Sequence, residues 1–348
     1  MSPPILPDGT FQTAKYSLAG RPNIPFAEFM NNTSSAATSE QPRRVFLRQL
    51  SLLAIAAGGS LPALGMMAAD NAEARKAQTQ TQTLVGSNQY GWGQYAGRDK
   101  KPFDIEGVMS ALRDAGYDYL ESNLDVNQPE NTARLVSQMK TRGLKPVTLY
   151  TGARLHEADK APENIKKLLA AAKVAHDLGF PRLSCNLDPI GREKTDDELK
   201  NQVAALKDLG TGLKEIGIQI GIHHHMPEMA NNAREFHYNF QHTDPDKIGF
   251  CYDVHWVFKG GVQPMDALRQ YDKRIVSWHL RQSRQGIWWE DLDEGDIDYA
   301  AVAEYARKNS LPRVFTVELA LEGGTKITRS AVENHRRSRE FVRKVFGI

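Results

Sequence analysis

The 348-residue chain holds only two cysteines, Cys185 and Cys251. Two thiols cannot build a disulfide framework or a zinc–cysteine site, so both read as buried free thiols. An excess of charge of either sign is also missing: 44 Lys and Arg stand against 42 Asp and Glu. That balance offers no broad pull toward nucleic acid or acidic membranes, and no nucleic-acid partner is expected. The most apolar stretch, Leu50 to Ala69, is softened by Gly58, Gly59 and Gly65 and broken by Pro62. It is too interrupted to be a stable membrane span. Glycine-rich phosphate loops are absent as well. The first β-like run leads into Val85-Gly86-Ser87-Asn88-Gln89, without the G-x-G-x-x-G spacing of a dinucleotide turn, and no Walker loop occurs.

What is present begins with a leader. Residues 1–41 are rich in Pro, Ser, Asn and Thr without periodicity, and read as disordered or as an over-long gene start, with Met30 as the alternative start. Pro42-Arg43-Arg44-Val45-Phe46-Leu47-Arg48 follows. An Arg pair followed by an aromatic, a Leu and a basic residue resembles the twin-arginine export motif. Ala72-Glu73-Ala74 then fits a small-x-small cleavage site. The bland alternative is a disordered basic arm. Residues 42–74 are therefore expected to be a twin-arginine signal peptide. The twin-arginine translocase is the expected partner during export, to the periplasm or another exported location. Residues 75–348 form the expected mature part, with 75–83 as a polar lead-in.

From residue 84 onward, short β-rich runs alternate with helical stretches. Strands are expected at 84–87, 117–120, 145–150, 182–185, 218–223, 248–252, 275–280 and 313–317. Helices are expected between them, near 105–115, 129–142, 161–178, 195–216, 228–240, 264–271, 299–308 and 327–345. Several helices stop at a glycine, and Thr195-Asp196-Asp197-Glu198 reads as a capping box. Strands alternating with helices argue for a parallel sheet, and eight units in about 265 residues match a single closed (β/α)8 TIM barrel. The open doubly wound sheet is the rival, without a dinucleotide turn to support it.

In such a barrel, functional residues gather at the carboxyl ends of the strands. Those ends carry Glu121, His223 and His225, Asp253 and His255, His279, and Glu318. Strand alternation places His223 and His225 on one side of Ile222-His223-His224-His225 and leaves His224 on the other. The convergent His, Asp, His and Glu suit a divalent first-row metal. Glu228 either caps the fifth helix or faces the site. Arg281, two residues past His279, faces the pocket and is expected to bind a substrate oxygen; His255 is read the same way. Glu121 forms a barrel-mouth ion pair or touches substrate. Trp288-Trp289 either stacks on a sugar ring or covers the barrel mouth. Glu290-Asp291-Leu292-Asp293-Glu294 and Arg336-Arg337 read as solvated faces.

These pieces also resemble a known family. Ile222-His223-His224-His225-Met226-Pro227-Glu228, Tyr252-Asp253-Val254-His255-Trp256-Val257-Phe258-Lys259-Gly260-Gly261, Arg274 to Arg281, Glu294 to Asp298 and Val317-Glu318 are similar to the xylose isomerase-like sugar phosphate isomerase/epimerase superfamily. The resemblance implies a divalent ion (Mn, Co, Zn or Mg) held by His223, Asp253, His279 and Glu318. The fifth-strand ligand is commonly Glu in that family, and here it is His223. Epimerase members move a proton with two glutamates on opposite faces of the sugar, and only Glu318 of that pair is kept. The implied catalytic set is Glu318, His223 and His225. The implied substrate contacts are Glu228, His255, Arg281, Glu121 and Trp256. The expected activity is isomerisation or epimerisation of a non-phosphorylated keto-sugar, by proton transfer next to a carbonyl polarised by the metal. A lyase or hydratase on the same site is the alternative, and a non-catalytic carbohydrate-binding barrel is the alternative of another class. The expected partner is a small-molecule carbohydrate, and self-association into a homo-oligomer stays open.

Overall fold

The computed structural model describes residues 83–348. The leader, the twin-arginine stretch and the Ala72-Glu73-Ala74 site lie outside the described residues. Eight parallel strands close into a barrel in the order β1-β10-β7-β6-β5-β4-β3-β2. They are β1 (Leu84–Asn88), β2 (Tyr119–Asn123), β3 (Thr148–Ala153), β4 (Arg182–Leu187), β5 (Gln219–His223), β6 (Gly249–Asp253), β7 (Ile275–Leu280) and β10 (Val314–Val317). A two-residue-stranded hairpin, β8 (Ser283–Arg284) with β9 (Ile287–Trp288), fills the loop after β7. The expected (β/α)8 TIM barrel is the fold observed.

The helices are α1 (Gln89–Arg98), α2 (Ile105–Asp114), α3 (Asn131–Thr141), α4 (Ala161–Asp177) and α5 (Asp196–Ile216), then α6 (Met226–Gln241), α7 (Val254–Lys259), α8 (Pro264–Tyr271), α9 (Tyr299–Lys308) and α10 (Ala331–Phe346). Their starts and stops follow local chemistry. In α5, Glu198 N donates to Thr195 Oγ1 at 3.2 Å and Thr195 N donates to Glu198 Oε2 at 2.7 Å. The same helix ends on Gly217 at φ +92°, a left-handed position that glycine adopts at no steric cost.

The apolar core lies between strands and helices. Leu149, Ile222, Phe250, Trp278 and Phe315 point outward from the barrel and are buried with Met109, Leu112 and Met139 of the surrounding helices. The barrel interior is polar by comparison. At its base, Tyr119 lies across Gly86, where an added Cβ would stand 2.2 Å from the ring. The phenol reaches Phe315 O at 2.9 Å and Thr316 Oγ1 at 2.8 Å. Glycine at 86 thus lets one side chain tie β2 to β10 across β1.

Two helices follow their strands without a connecting loop and were not expected. Asn88 caps α1 by accepting from Tyr90 N at 2.7 Å, and Asp253 caps α7 by accepting from Trp256 N at 2.8 Å. The α1 sequence Gln-Tyr-Gly-Trp-Gly has poor helix propensity, so the cap and the packing decide. Helix α6 is interrupted: Asn231, Asn232 and Ala233 stand at φ +51°, +57° and +58°. Asn tolerates the left-handed region, whereas buried Ala233 is strained there.

The first part of the acidic run after β9 corrects the expectation of a solvated face, whereas Glu294 is exposed as expected. Glu290, Asp291 and Leu292 are buried. Asp291 Oδ2 accepts from Arg329 Nη2 at 2.9 Å and Arg337 Nε at 2.7 Å, and Glu290 accepts from Arg329 N at 3.1 Å and Asn334 Nδ2 at 3.0 Å. Arg336 and Arg337 are exposed, as expected, and Arg337 also anchors this loop to α10. Opposite charges far apart in sequence carry no signal of pairing until the fold brings them together.

On α10, His335 stacks on Trp92 with ring centroids 4.0 Å apart and donates from Nδ1 to Ala331 O at 2.7 Å. Burial pushes its pKa down to about 3, and the bond to Ala331 opposes this only in part. A histidine whose folded pKa is depressed contributes stability that is present above its unfolded pKa and lost as the pH falls below it. Between pH 7.5 and pH 5.0 the wild type should lose about 2 kcal/mol more than His335→Gln, because the unfolded imidazole protonates near pH 6.5. Denaturant unfolding at the two pH values measures this, and parallel losses in the two proteins would refute the assignment.

Candidate functional site

Strand geometry sets the site. Asp253 on β6 is paired in register with His279 on β7, and His279 with Thr316 on β10, two residues before Glu318. His223 ends β5 and is in register with Asn186 on β4. Four strand ends thus deliver His223, Asp253, His279 and Glu318 into one buried cluster, and one ligand atom from each lies within 4.8 Å of the others. Two imidazoles and two carboxylates form a nitrogen/oxygen donor set suited to a first-row divalent ion.

Short contacts knit the cluster together. His223 Nε2 lies 3.3 Å from Asp253 Oδ2, and His279 Nδ1 lies 2.8 Å from Glu318 Oε2. Arg281 Nη2 donates to Asp253 Oδ2 at 3.0 Å and stands 3.4 Å from Glu318 Oε2. Burial works against charge on both carboxylates. Arg281 overcomes it, with His223 at Asp253 and His279 at Glu318, so the Asp253 carboxyl lies far below its usual range and that of Glu318 at about 2. Arg281 gains in turn: burial lowers its pKa, but Glu318 and Asp253 raise it above the usual value.

Glu121 lies beneath the cluster and is fully buried, not at the barrel mouth. It accepts from Asn88 Nδ2 at 2.7 Å and Ser184 Oγ at 2.8 Å, and its Oε2 lies 2.9 Å from His279 Nε2, out of line for a hydrogen bond. His279 therefore stands between two carboxylates. At 2.9 Å Glu121 acts on His279 as a neighbouring negative charge rather than through an aligned hydrogen bond.

His225 lies beside the cluster, its ring 4.7 Å from that of His223 and 5.5 Å from that of Trp256. Burial and His223 push its pKa down to about 3, so it is neutral at physiological pH. Glu228 is placed as a cap: Oε2 accepts from His225 N at 2.9 Å. Burial and the neighbouring Glu235 push its pKa up to about 7. His224 points away from the barrel interior, among Phe236, Phe240 and Phe250. His255 is not placed by strand alternation, because β6 ends at Asp253 and α7 begins at Val254. It is buried, with its ring 6.1 Å from that of Trp288. The Arg281 guanidinium stacks 4.2 Å over Trp288 and stands 5.4 Å from Trp256.

Tyr150 was not among the residues read from the strand ends. Its hydroxyl lies 3.4 Å from His223 Nδ1 and 3.5 Å from His225 Nε2, and burial keeps the phenol well above its ordinary pKa. A tyrosine in a strand reads as apolar filling. The available signal was its inward phase, two residues beyond Thr148 on the same side as Glu121.

Residues 109–345 match the family described as the xylose isomerase-like TIM barrel. The chain belongs to this family. An inosose dehydratase of Lacticaseibacillus casei is 33% identical over 105 residues, covering 30% of this chain and 34% of that protein. The match thus spans about a third of that relative. The structure of a sugar phosphate isomerase/epimerase from Parabacteroides distasonis superposes with TM-score 0.61 at 20% identity, over 75% of this chain and 94% of that one. A zinc-bound IolI protein superposes with TM-score 0.59 at 17% identity, over 76% and 98%. At these identities, the structural likeness concerns the barrel of the xylose isomerase-like family and not its chemistry.

Arg281 tests the electrostatics of the site. Arg281→Met leaves two buried carboxylates without their cation, and in EDTA-treated protein this should cost about 3–5 kcal/mol at pH 7.5. Both carboxyls have depressed pKa values, so the Arg281 contribution is full above about pH 4.5 and is lost as the pH falls through about 2; the gap should narrow between pH 7.5 and pH 3. Denaturant unfolding at both pH values checks this. A gap that does not change with pH would mean that the loss is one of packing alone.

Proposed function

We propose that this chain is a divalent-metal-dependent enzyme that moves a proton next to the carbonyl of a non-phosphorylated keto-sugar or keto-cyclitol. The observation that carries this reading is the buried cluster of His223, Asp253, His279 and Glu318. These four residues would hold the ion, and two imidazoles with two carboxylates suit Mn, Co, Zn or Mg. A bound divalent ion supplies Lewis acidity toward a carbonyl oxygen and offsets the negative charge that develops on it.

The side chains then divide the remaining work. Glu318 is ionised at neutral pH and accepts the proton from the carbon beside the carbonyl. Arg281 holds Glu318 and Asp253 in place and presents its planar face to Trp288. Tyr150 and His225 stand on the β3–β5 side of the barrel and Glu318 on the β10 side, so a substrate between them meets a carboxylate on one side and hydrogen-bond donors on the other. This asymmetry favours elimination. The base takes the proton, the electron pair forms a carbon–carbon double bond, and the leaving hydroxyl departs as water with a proton delivered from the Tyr150–His225 side. Two-carboxylate epimerisation fits less well, because His223 occupies the strand-five position where the family commonly has Glu. The inosose dehydratase name of a partial relative agrees with elimination; the isomerase/epimerase name of a structural neighbour supports epimerisation as the second reading.

The chemistry is tested by incubating Mn-, Co- and Zn-loaded protein with keto-inositol and with ketoses in deuterated water, following exchange and product by NMR. Dehydration of keto-inositol should be lost with EDTA, and Glu318→Gln should lower kcat by about 10²–10⁴-fold. Purified protein that holds no divalent ion, and whose behaviour EDTA leaves unchanged, would instead support a carbohydrate-binding barrel.

We further propose export by the twin-arginine route, supported by Arg43-Arg44 and Ala72-Glu73-Ala74. In a bacterial host with that pathway, replacing both arginines by lysine should leave the unprocessed chain in the cytoplasm. Fractionation and mass spectrometry of the amino terminus read this out, and equal export of both forms would defeat it.

A further inference from the structure

One wall of the barrel mouth, formed by α7, the end of β7 and the β8–β9 hairpin, holds buried nitrogen atoms with no hydrogen bond among the described residues. They are Trp288 Nε1, Arg281 Nε and both ring nitrogens of His255. All three side chains are more than nine-tenths buried. They form one cluster: the Arg281 guanidinium stacks 4.2 Å over Trp288, and the His255 ring meets the same indole edge-on at 6.1 Å. A buried donor left unpaired is destabilising. Several together on one wall, beside Asp253 and Glu318, mark a surface shaped for acceptor atoms from a ligand.

Charge decides the class of ligand. Arg281 is already matched by Asp253 at 3.0 Å and Glu318 at 3.4 Å. The other cation here, Lys259, lies 4.9 Å from the Trp288 ring centre, and its Nζ is 2.6 Å from Glu322 Oε2. Glu322 also accepts from Trp288 N at 2.7 Å, which fixes the hairpin. The wall therefore offers directional N–H donors without an unmatched positive charge. A phosphate or carboxylate calls for an unmatched cation, whereas hydroxyl and carbonyl oxygens need only donors.

We propose that this wall is a subsite for the oxygens of a neutral polyol ring, and that Trp288 determines specificity through its indole N–H. The proposal deepens the reading of the site as one for a polyhydroxy carbonyl compound and rests on it. Calorimetric titration with keto-inositol, D-fructose and fructose 6-phosphate tests it, on metal-loaded and on EDTA-treated protein. Trp288→Phe keeps a ring under Arg281 and removes the donor. It should weaken keto-inositol or fructose binding about 5- to 10-fold, the effect of one hydrogen bond, with the melting temperature unchanged. In wild-type protein, the Trp288 indole proton, assigned by its loss in the variant, should shift on saturation with the same sugar. Fructose 6-phosphate should bind no more tightly than fructose. Equal affinity of variant and wild type with an unmoved indole resonance would overturn the proposal. So would tenfold tighter binding of the phosphorylated sugar, or no binding of either neutral compound. The metal arm keeps the two readings apart: indifference to EDTA counts against the metal chemistry, while the contrast between wild type and Trp288→Phe judges the subsite.

Discussion

Asp253 and Glu318, buried at the carboxyl end of the barrel, share one guanidinium. Two ionised carboxylates removed from water are costly unless cations and hydrogen bonds balance them. Arg281 touches both, His223 lies against Asp253, and His279 lies against Glu318. Every neighbouring feature answers to this balance. Glu121 stands behind His279, Asn88 and Ser184 hold Glu121, and Trp288 and Trp256 pack against the Arg281 guanidinium. A cation entering the cluster would find its negative ligands already ionised and already converged.

The scaffold makes that convergence affordable. Most apolar packing lies outside the strands, against the helices, and a small cluster of Leu84, Tyr119, Val147 and Val314 closes the base, so the upper interior is free to carry polar side chains. Glycine at 86 leaves space for Tyr119 to cross beneath the site and pin β2 to β10. Asp253 serves both the cluster and the first turn of α7, so its rotamer is set by a backbone hydrogen bond before any ligand arrives. Such double use of one carboxylate gives a rigid strand end, which a preorganised site requires.

Much of this was legible in the chain. The alternation of β-rich and helical runs implied eight units, and the polar residues that interrupt apolar strands marked the four that cluster. Helix α5 followed from its capping box and terminal glycine. The short helices α1 and α7 were not legible, because each depends on a single side-chain cap and on packing against the barrel rather than on periodicity. The acidic loop after β9 read as solvated because Asp291 meets Arg329 and Arg337 only across the fold. Tyr150 was missed because a buried tyrosine in a strand looks the same whether its hydroxyl meets an imidazole or nothing at all.

By itself, the sequence determined the periodicities, and with them the strand count, the barrel class and the inward phase of His223, Asp253, His279 and Glu318. Those are local properties: a two-residue repeat fixes which face of a strand a side chain takes. Tertiary structure alone decided what each side chain meets there. It placed Arg281 between two carboxylates, turned Glu228 into a helix cap, moved Glu121 beneath the site, and aligned Trp288 with Arg281. Those outcomes depend on distances between strands far apart in sequence, and on the exclusion of water that gives each contact its strength.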